Sequence, residues 1–157
     1  MSTKTMKSLS SVVVITISIL SGNPVFADSN AQGVAMQEAM YKMAVDMWQT
    51  SRNRNCRKYS ELGSSLLDFR TQGRGSLADY MEWATSNLEA GETTHMKAFR
   101  VRIVRNAYDA PLYQTGERLN RAKARLRDEI FAYCFDAWSE ISGIAEPDRE
   151  RFGLSGS

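Results

Sequence analysis

Apolar side chains recur every three or four residues along most of this 157-residue chain, and no stretch alternates convincingly with a period of two. The three-to-four spacing places apolar side chains on one face of an α-helix, whereas a half-buried strand needs alternation. Turn-forming residues divide the pattern into five segments joined by short connections. The sequence therefore predicts an all-α domain, a bundle of about five helices.

The helix ends follow from the turn-forming and capping residues. The first predicted helix begins at Val34 and ends in the polar stretch 52–55, and the second runs from Cys56 to the glycines of 73–75. Ser76 caps the third helix, with Asp79 three residues later as a capping-box-like partner. That helix ends at Gly91, a residue suited to a left-handed cap.

The ends of the last two predicted helices are marked by capping and helix-breaking residues as well. Thr93 or Thr94 caps the fourth, which ends before Pro111 because proline cannot continue the hydrogen-bond ladder. Thr115 caps the fifth and longest, which continues to Gly143. The helical domain thus spans 34–143, and we expect the polar, glycine-containing ends at 28–33 and 144–157 to be flexible.

Residues 1–27 have the three parts of an export signal. Lys4 and Lys7 precede an uncharged apolar run, and a helix-breaking stretch leads to Ala27 with small residues at the cleavage positions. A membrane anchor is the alternative, but a spanning helix needs about 20 apolar residues and this run is shorter. We expect cleavage after Ala27, no transmembrane anchor in the mature form, and a periplasmic or secreted protein.

The charge balance argues against a nucleic-acid partner. The full chain has 20 basic and 18 acidic residues, a formal net charge of +2. Loss of Lys4 and Lys7 with the signal leaves a mature chain with equal numbers of each. A nucleic-acid-binding domain normally carries a basic excess.

Cys56 and Cys134 are the two cysteines of the chain. An even count in an exported protein favours a disulfide, and each cysteine lies on the predicted inner face of its helix. The bond would close a loop of nearly eighty residues, which stabilises the folded state by up to about 4–5 kcal/mol in the loop-entropy model. Two separate buried thiols are the alternative.

Motifs for catalysis or metal binding are weak. His95, the single histidine, begins a helix beside a glycine break, where we expect exposure. One histidine and two paired cysteines do not supply the ligands of a zinc site, and we predict no cofactor. Two carboxylates held across a cleft would support glycoside hydrolysis. The candidate carboxylates are Asp79, Glu82, Glu89, Glu92, Asp128, Glu129, Asp136 and Glu140.

Two surfaces are candidates for partner binding. Basic residues cluster on the fourth and fifth helices and form a positive strip if those helices are neighbours. The alternative is that these residues lie on a solvated face and are balanced by nearby acidic residues. From this set we select Arg100 and Arg105. Four methionines share one face of the first helix, either as core or as an adaptable binding surface. They are Met36, Met40, Met43 and Met47.

Further residues form a pattern between the cysteines. Between Cys56 and Cys134 the chain has an R-x-x-G-x-S-like helix break and an aliphatic-aromatic segment ending near a proline. The residues concerned are Arg70, Gly73, Ser76, Ile103, Val104, Tyr108 and Pro111. Over residues 56–134 the chain resembles a broad group of small uncharacterised exported bacterial helical proteins. The resemblance implies a disulfide-closed periplasmic helical domain and no particular activity.

The residues of this pattern have structural interpretations. Arg70 can bond carbonyls at a helix C-terminus, Gly73 permits a positive φ, and Tyr108 can bury its ring while its hydroxyl finds a backbone partner. We therefore expect a non-enzymatic protein that binds another envelope protein, for example an inhibitor or immunity-type partner of a secreted toxin. A carboxylate-based envelope hydrolase and a small-ligand carrier are the alternatives.

Overall fold

Five α-helices and one 3₁₀ helix make up the computed structural model, which describes residues 28–86, 92–114 and 116–154; within those ranges there is no strand. The helices are α1 (Asp28–Thr71), α2 (Leu77–Thr85), α3 (Thr94–Asp109), α4 (Glu117–Asp136) and α5 (Trp138–Ser142), followed by the 3₁₀ helix Arg149–Phe152. The prediction of an all-α domain is confirmed. The predicted export signal lies outside the described residues. The predicted helix end at Gly91 and the predicted cap at Thr115 are wrong, because α2 already ends at Thr85 with Ser86 as its C-cap, and the N-cap of α4 is Gly116.

Helix α1 continues without interruption where the sequence predicts a break at 52–55. Two sets of contacts keep these turn-forming residues helical. The Asn55 amide donates to the Ser51 backbone carbonyl at 2.9 Å and so bonds within the helix. The Arg52 guanidinium lies 4.3 Å from the ring centroid of Trp48 and 3.6 Å from that of Phe135 on α4. Cation–π packing against a distant element therefore outweighs the local turn propensity.

The second half of α1 packs against α3 and α4. Leu66 and Leu67 are buried there with Ile103 and Ile130. A Cβ placed on Gly63 would lie 2.1 Å from Ile130 Cδ1, so the missing side chain is what lets α4 approach α1 closely. The core of the described residues comprises Trp48, Cys56, Leu66, Leu67, Ala84, Phe99, Ile103, Val104, Ala107, Leu126, Ile130, Cys134, Trp138 and Ile141.

A disulfide joins α1 to α4. The sulfurs of Cys56 and Cys134 are 2.03 Å apart, their Cα atoms are 5.4 Å apart, and both residues are completely buried. The predicted pairing is confirmed, and the alternative of two free thiols is wrong. Such bonds persist in oxidising compartments outside the cytosol.

The predicted fifth helix is divided at Ala137, where the backbone turns and α5 begins. The turn places Trp138 and Ile141 in the core, 4% and 2% exposed. Thr93, the N-cap of α3, donates its hydroxyl to the Ile141 carbonyl at 2.6 Å. Burial of both side chains beside α3 thus accounts for the break that the apolar period does not reveal.

The chain ends also differ from the sequence expectation. Residues 28–33, predicted to be flexible, form the first turns of α1. In the predicted flexible tail, the Phe152 ring packs edge-on against Tyr41, with centroids 5.6 Å apart. Arg149 donates to both carboxylate oxygens of Glu38, at 3.2 and 2.9 Å. These contacts hold the tail against the first half of α1.

Arg70 connects the end of α1 to the end of α3. Its guanidinium donates to the carbonyls of Ala107 and Ala110, at 3.1 and 2.6 Å. Ala110 is the C-cap of α3 and precedes Pro111. The cation therefore satisfies carbonyls that a helix C-terminus leaves unpaired. Arg70 thus bonds carbonyls at a helix C-terminus, as expected, but they belong to α3 and not to its own helix α1.

The turn between α1 and α2 is fastened to the same region. Gly73 has a φ of 69°, and the Tyr108 hydroxyl donates to the Gly75 carbonyl at 3.0 Å. Burial raises the pKa of Tyr108, so this hydroxyl remains a donor. Ser76 and Asp79 form a reciprocal capping box at the start of α2, and hydrogen bonds from Ser76 lower the pKa of the Asp79 carboxyl.

Candidate functional site

The four methionines of the first predicted helix are exposed. Met36 is 66% exposed, Met40 50%, Met43 64% and Met47 67%. The core interpretation of these residues is therefore wrong. We call this set the methionine face.

The methionine face points away from the bundle. Successive residues of an α-helix are rotated by about 100°. On this count, the four methionines lie within about 60° of one another, and Tyr41, Trp48 and Cys56 lie on the opposite side. Those three residues contact the tail, the core and α4 respectively. The two sides of α1 thus have different roles, since one packs and the other is free of the described helices.

The surroundings of the methionine face are mainly small residues, with the exposed acidic residue Asp46 at one edge. Gly33, Ala39 and Ala44 flank it, and small residues permit close approach by another molecule. Charge appears on the same line only further along α1, at Arg54 and Lys58, both exposed. The outer surface of α1 is therefore an apolar ridge followed by a basic end.

Arg100 is not part of this surface or of a basic strip. Its side chain is 2% exposed and forms an ion pair with Glu92 at 2.5 Å. It also donates to the Ala84 and Ser86 carbonyls, at 3.2 and 2.6 Å, which joins the end of α2 to α3. The prediction that Arg100 contacts a partner is contradicted by this burial. A signal was present in the sequence, since Arg100 shares the inner-face spacing of Met96, Ile103 and Ala107.

Several of the remaining basic residues of α3 and α4 contact neighbouring side chains. Arg105 is exposed, as predicted for a partner-binding residue, but Arg102 stacks on the Tyr133 ring, 3.8 Å from its centroid. Several cations of α4 are paired with acids. The pairs are Arg121–Glu117, Arg125–Glu129 and Lys123–Asp68. This arrangement matches the alternative of a solvated face balanced by acids.

The candidate catalytic residues are not brought together. His95 is exposed. Among the eight carboxylates, Glu89 lies outside the described residues and Glu92 has a side chain 9% exposed, paired with Arg100. The other six are exposed. Within the described ranges, no group of three histidine, cysteine or acidic side chains could hold a metal ion.

Comparisons with known proteins give no family for this chain: no family model, curated protein or solved structure matches it. Among the helices described, none is both long and apolar enough to cross a bilayer.

Proposed function

We propose that this is an exported envelope protein that binds another protein through the methionine face. The observation that carries the proposal is the exposure of four large apolar side chains on one side of a helix. Contiguous exposed apolar surface marks interaction sites, and methionine repacks readily against partners. The buried disulfide and the export-signal pattern of residues 1–27 support a location outside the cytosol.

The partner we infer has an apolar groove with an acidic end. The spacing of the four methionines is that of anchor residues in helix-in-groove recognition. The ridge is about 16 Å long and one side chain wide. A groove would surround the flanks at Ala39 and Ala44 on both sides of the ridge, whereas a single second helix would cover a narrower seam. A standard interface buries about 800 Å² on each partner, which favours the groove, and Arg54 and Lys58 favour acidic residues at its end.

A membrane surface fits the ridge less well. Helices that lie in the bilayer interface usually combine basic residues along the polar face with tryptophan, phenylalanine or leucine on the apolar face. Here Lys42 is the single basic residue among positions 28–51 of the helix, and the ridge consists of methionines.

Binding as an inhibitor or immunity-type partner of a secreted toxin is one form of the proposed function.

Capture of the tagged mature protein from the envelope fraction tests this proposal. The compared variants are Met40→Gln with Met43→Gln, and the control Lys42→Gln, which changes an exposed side chain on the same helix. We expect one near-stoichiometric protein with the wild type and the control. With the double methionine variant, the recovered amount of this partner should fall at least about tenfold, because each apolar side chain buried at the interface contributes about 1.5–3 kcal/mol.

Three outcomes would contradict the proposal. The first is an unchanged set of captured proteins with the methionine variant. The second is a dimer of the purified protein that this variant dissociates, which would make a second copy the occupant. The third is sedimentation of the wild type, but not the variant, with phosphatidylglycerol vesicles.

A further inference from the structure

Each residue of the methionine face carries a thioether sulfur, and these residues recur at intervals of three and four along α1. Met36 and Met40 are four residues apart, as are Met43 and Met47, and three residues separate the two pairs. Side chains three or four residues apart are neighbours on a helix, with Cβ atoms about 5–6 Å apart. All four are at least half exposed, and methionine has three rotatable bonds in its side chain. Neighbouring sulfurs on this face can therefore meet at a common point.

The thioether is a soft ligand, and this property distinguishes the face from an ordinary apolar ridge. Thiolates and thioethers select copper(I), whereas carboxylates and carbonyls suit magnesium and calcium. A thioether has no proton to lose before it binds, so protons do not compete with the metal as they do at a thiol or an imidazole. Leucine would form an apolar ridge of similar volume. What methionine adds at all four positions is the sulfur atom.

The rest of the chain provides no competing thiolate, and the charges beside the face suit a cation. Both cysteines are joined in the buried disulfide, and the chain has no free cysteine. Asp46 is exposed and lies one helical turn from Met43, where its carboxylate adds negative charge at the edge of the face. The nearest basic side chain, Lys42, is paired with Glu38 at 3.9 Å. A cation at these sulfurs therefore has a carboxylate close by.

We propose that the methionine face binds copper(I) through its thioether sulfurs. One ion is held between Met36 and Met40 and a second between Met43 and Met47, and no electron is transferred on binding. In an oxidising compartment thiols pair as disulfides, whereas thioethers keep their sulfur lone pairs. The copper site goes beyond the proposed protein-binding function, because it depends on the sulfur atoms and not on the apolar surface that a partner would cover.

Methyl NMR spectra of the folded mature protein, labelled with [methyl-¹³C]methionine, test the site directly. The probe is silver(I) nitrate in chloride-free buffer, because silver(I) shares the preference of copper(I) for soft ligands and does not change its oxidation state. We expect the four methyl signals of the methionine face to shift, with saturation when one ion is present for each pair. Met81 and Met96 are partly buried and serve as internal controls that should not move. Magnesium(II) should shift none of the six signals.

Leucine variants separate the copper site from protein docking. Leucine keeps the apolar surface at a similar volume and removes the sulfur. The fourfold leucine variant carries Met36→Leu, Met40→Leu, Met43→Leu and Met47→Leu. Competition with bicinchoninate for copper(I), kept reduced by ascorbate, measures the affinity. We expect the fourfold variant to bind copper(I) at least about tenfold more weakly than the wild type. The control, Met81→Leu with Met96→Leu, should bind as the wild type does.

A half-face variant tests the pairing of the sulfurs. Met36→Leu with Met40→Leu should halve the number of ions bound and leave the signals of Met43 and Met47 responsive to silver(I). These positions are exposed, so the substitutions should change stability by less than about 0.5 kcal/mol. A variant that still binds as many ions as the wild type would contradict the assignment of one ion to each pair.

Several results would overturn the copper site. Methionine-face signals that do not respond to silver(I) would do so, as would equal shifts of Met81 and Met96. An equal response to magnesium(II) would show a non-selective cation surface. Unchanged copper(I) affinity in the fourfold leucine variant would show that the metal binds elsewhere. This variant keeps an apolar ridge and should still capture the partner protein, so the copper site and the proposed function fail independently.

Discussion

Apolar residues recur with the same helical period in both halves of α1, but they are exposed in the first half and buried in the second. In the first half, the four methionines are at least half exposed, and the 3₁₀ helix of the tail packs on the other side. In the second half, Cys56, Leu66 and Leu67 are buried against α3 and α4. An apolar stripe becomes core only where another element covers it. The period of a stripe therefore predicts a helix but not its burial.

Removing the disulfide should have the largest effect on the second half. For Cys56→Ala with Cys134→Ala, we expect the free energy of unfolding to fall by about 4 kcal/mol, because the bond constrains 78 residues of the unfolded chain. Urea denaturation of the oxidised wild type and the double variant measures this difference. A loss below about 1 kcal/mol would show that the link between α1 and α4 is not a main source of stability.

A matched pair of truncations compares the two halves directly. Leu67→Ala, at a completely buried position, should cost about 3 kcal/mol through lost packing and a cavity. Met43→Ala, at a position 64% exposed, should change stability by less than about 0.5 kcal/mol. Both are read from the same urea titration. Similar losses for the two variants would contradict the division of α1 into core and surface halves.

Replacing Arg70 should have an intermediate effect at the end of the second half. Arg70→Met retains most of the aliphatic length and removes both hydrogen bonds to the α3 C-terminus. We expect a loss of about 2 kcal/mol, as for hydrogen bonds from a charged donor. Thermal unfolding followed by circular dichroism measures it. A variant as stable as the wild type would show that these carbonyls are equally well satisfied by water.

Truncation of the Phe152 side chain in the tail should have the smallest and most local effect on stability. Phe152→Ala removes the contact with Tyr41, and we expect a loss of about 1 kcal/mol or less. Amide hydrogen exchange should become faster over residues 37–45 and stay unchanged over residues 56–70, because the two halves open separately. Faster exchange in both halves would show instead that α1 opens as one unit.

Local pattern predicts the fold class and the disulfide. The helical period is a property of neighbouring residues, and two cysteines on inner faces allow a single pairing. The continuity of α1 was not predictable in this way, because Arg52 is held by Phe135, more than eighty residues away. The break at Ala137 likewise depends on the burial of Trp138 and Ile141 beside α3.

The candidate site was predictable only in part. The spacing of the methionines identifies a face, but their exposure depends on which elements reach the first half of α1. Arg100 illustrates the reverse error, because a basic residue was assigned to the surface although its spacing matched the inner face. The ion pair with Glu92 makes its burial tolerable, since a paired and hydrogen-bonded charge avoids most of the cost of desolvation.

The most direct test of the account is the rate of methionine oxidation by hydrogen peroxide, read by peptide mass spectrometry. Oxidation follows exposure, and the partly buried Met81 and Met96 serve as internal references. We predict that Met36, Met40, Met43 and Met47 oxidise several-fold faster than the references in the purified protein, and that a partner slows their oxidation in intact cells. Four methionines as slow as Met81 in the purified protein would contradict the exposed face, and equally fast oxidation in cells would contradict its occupation by a partner.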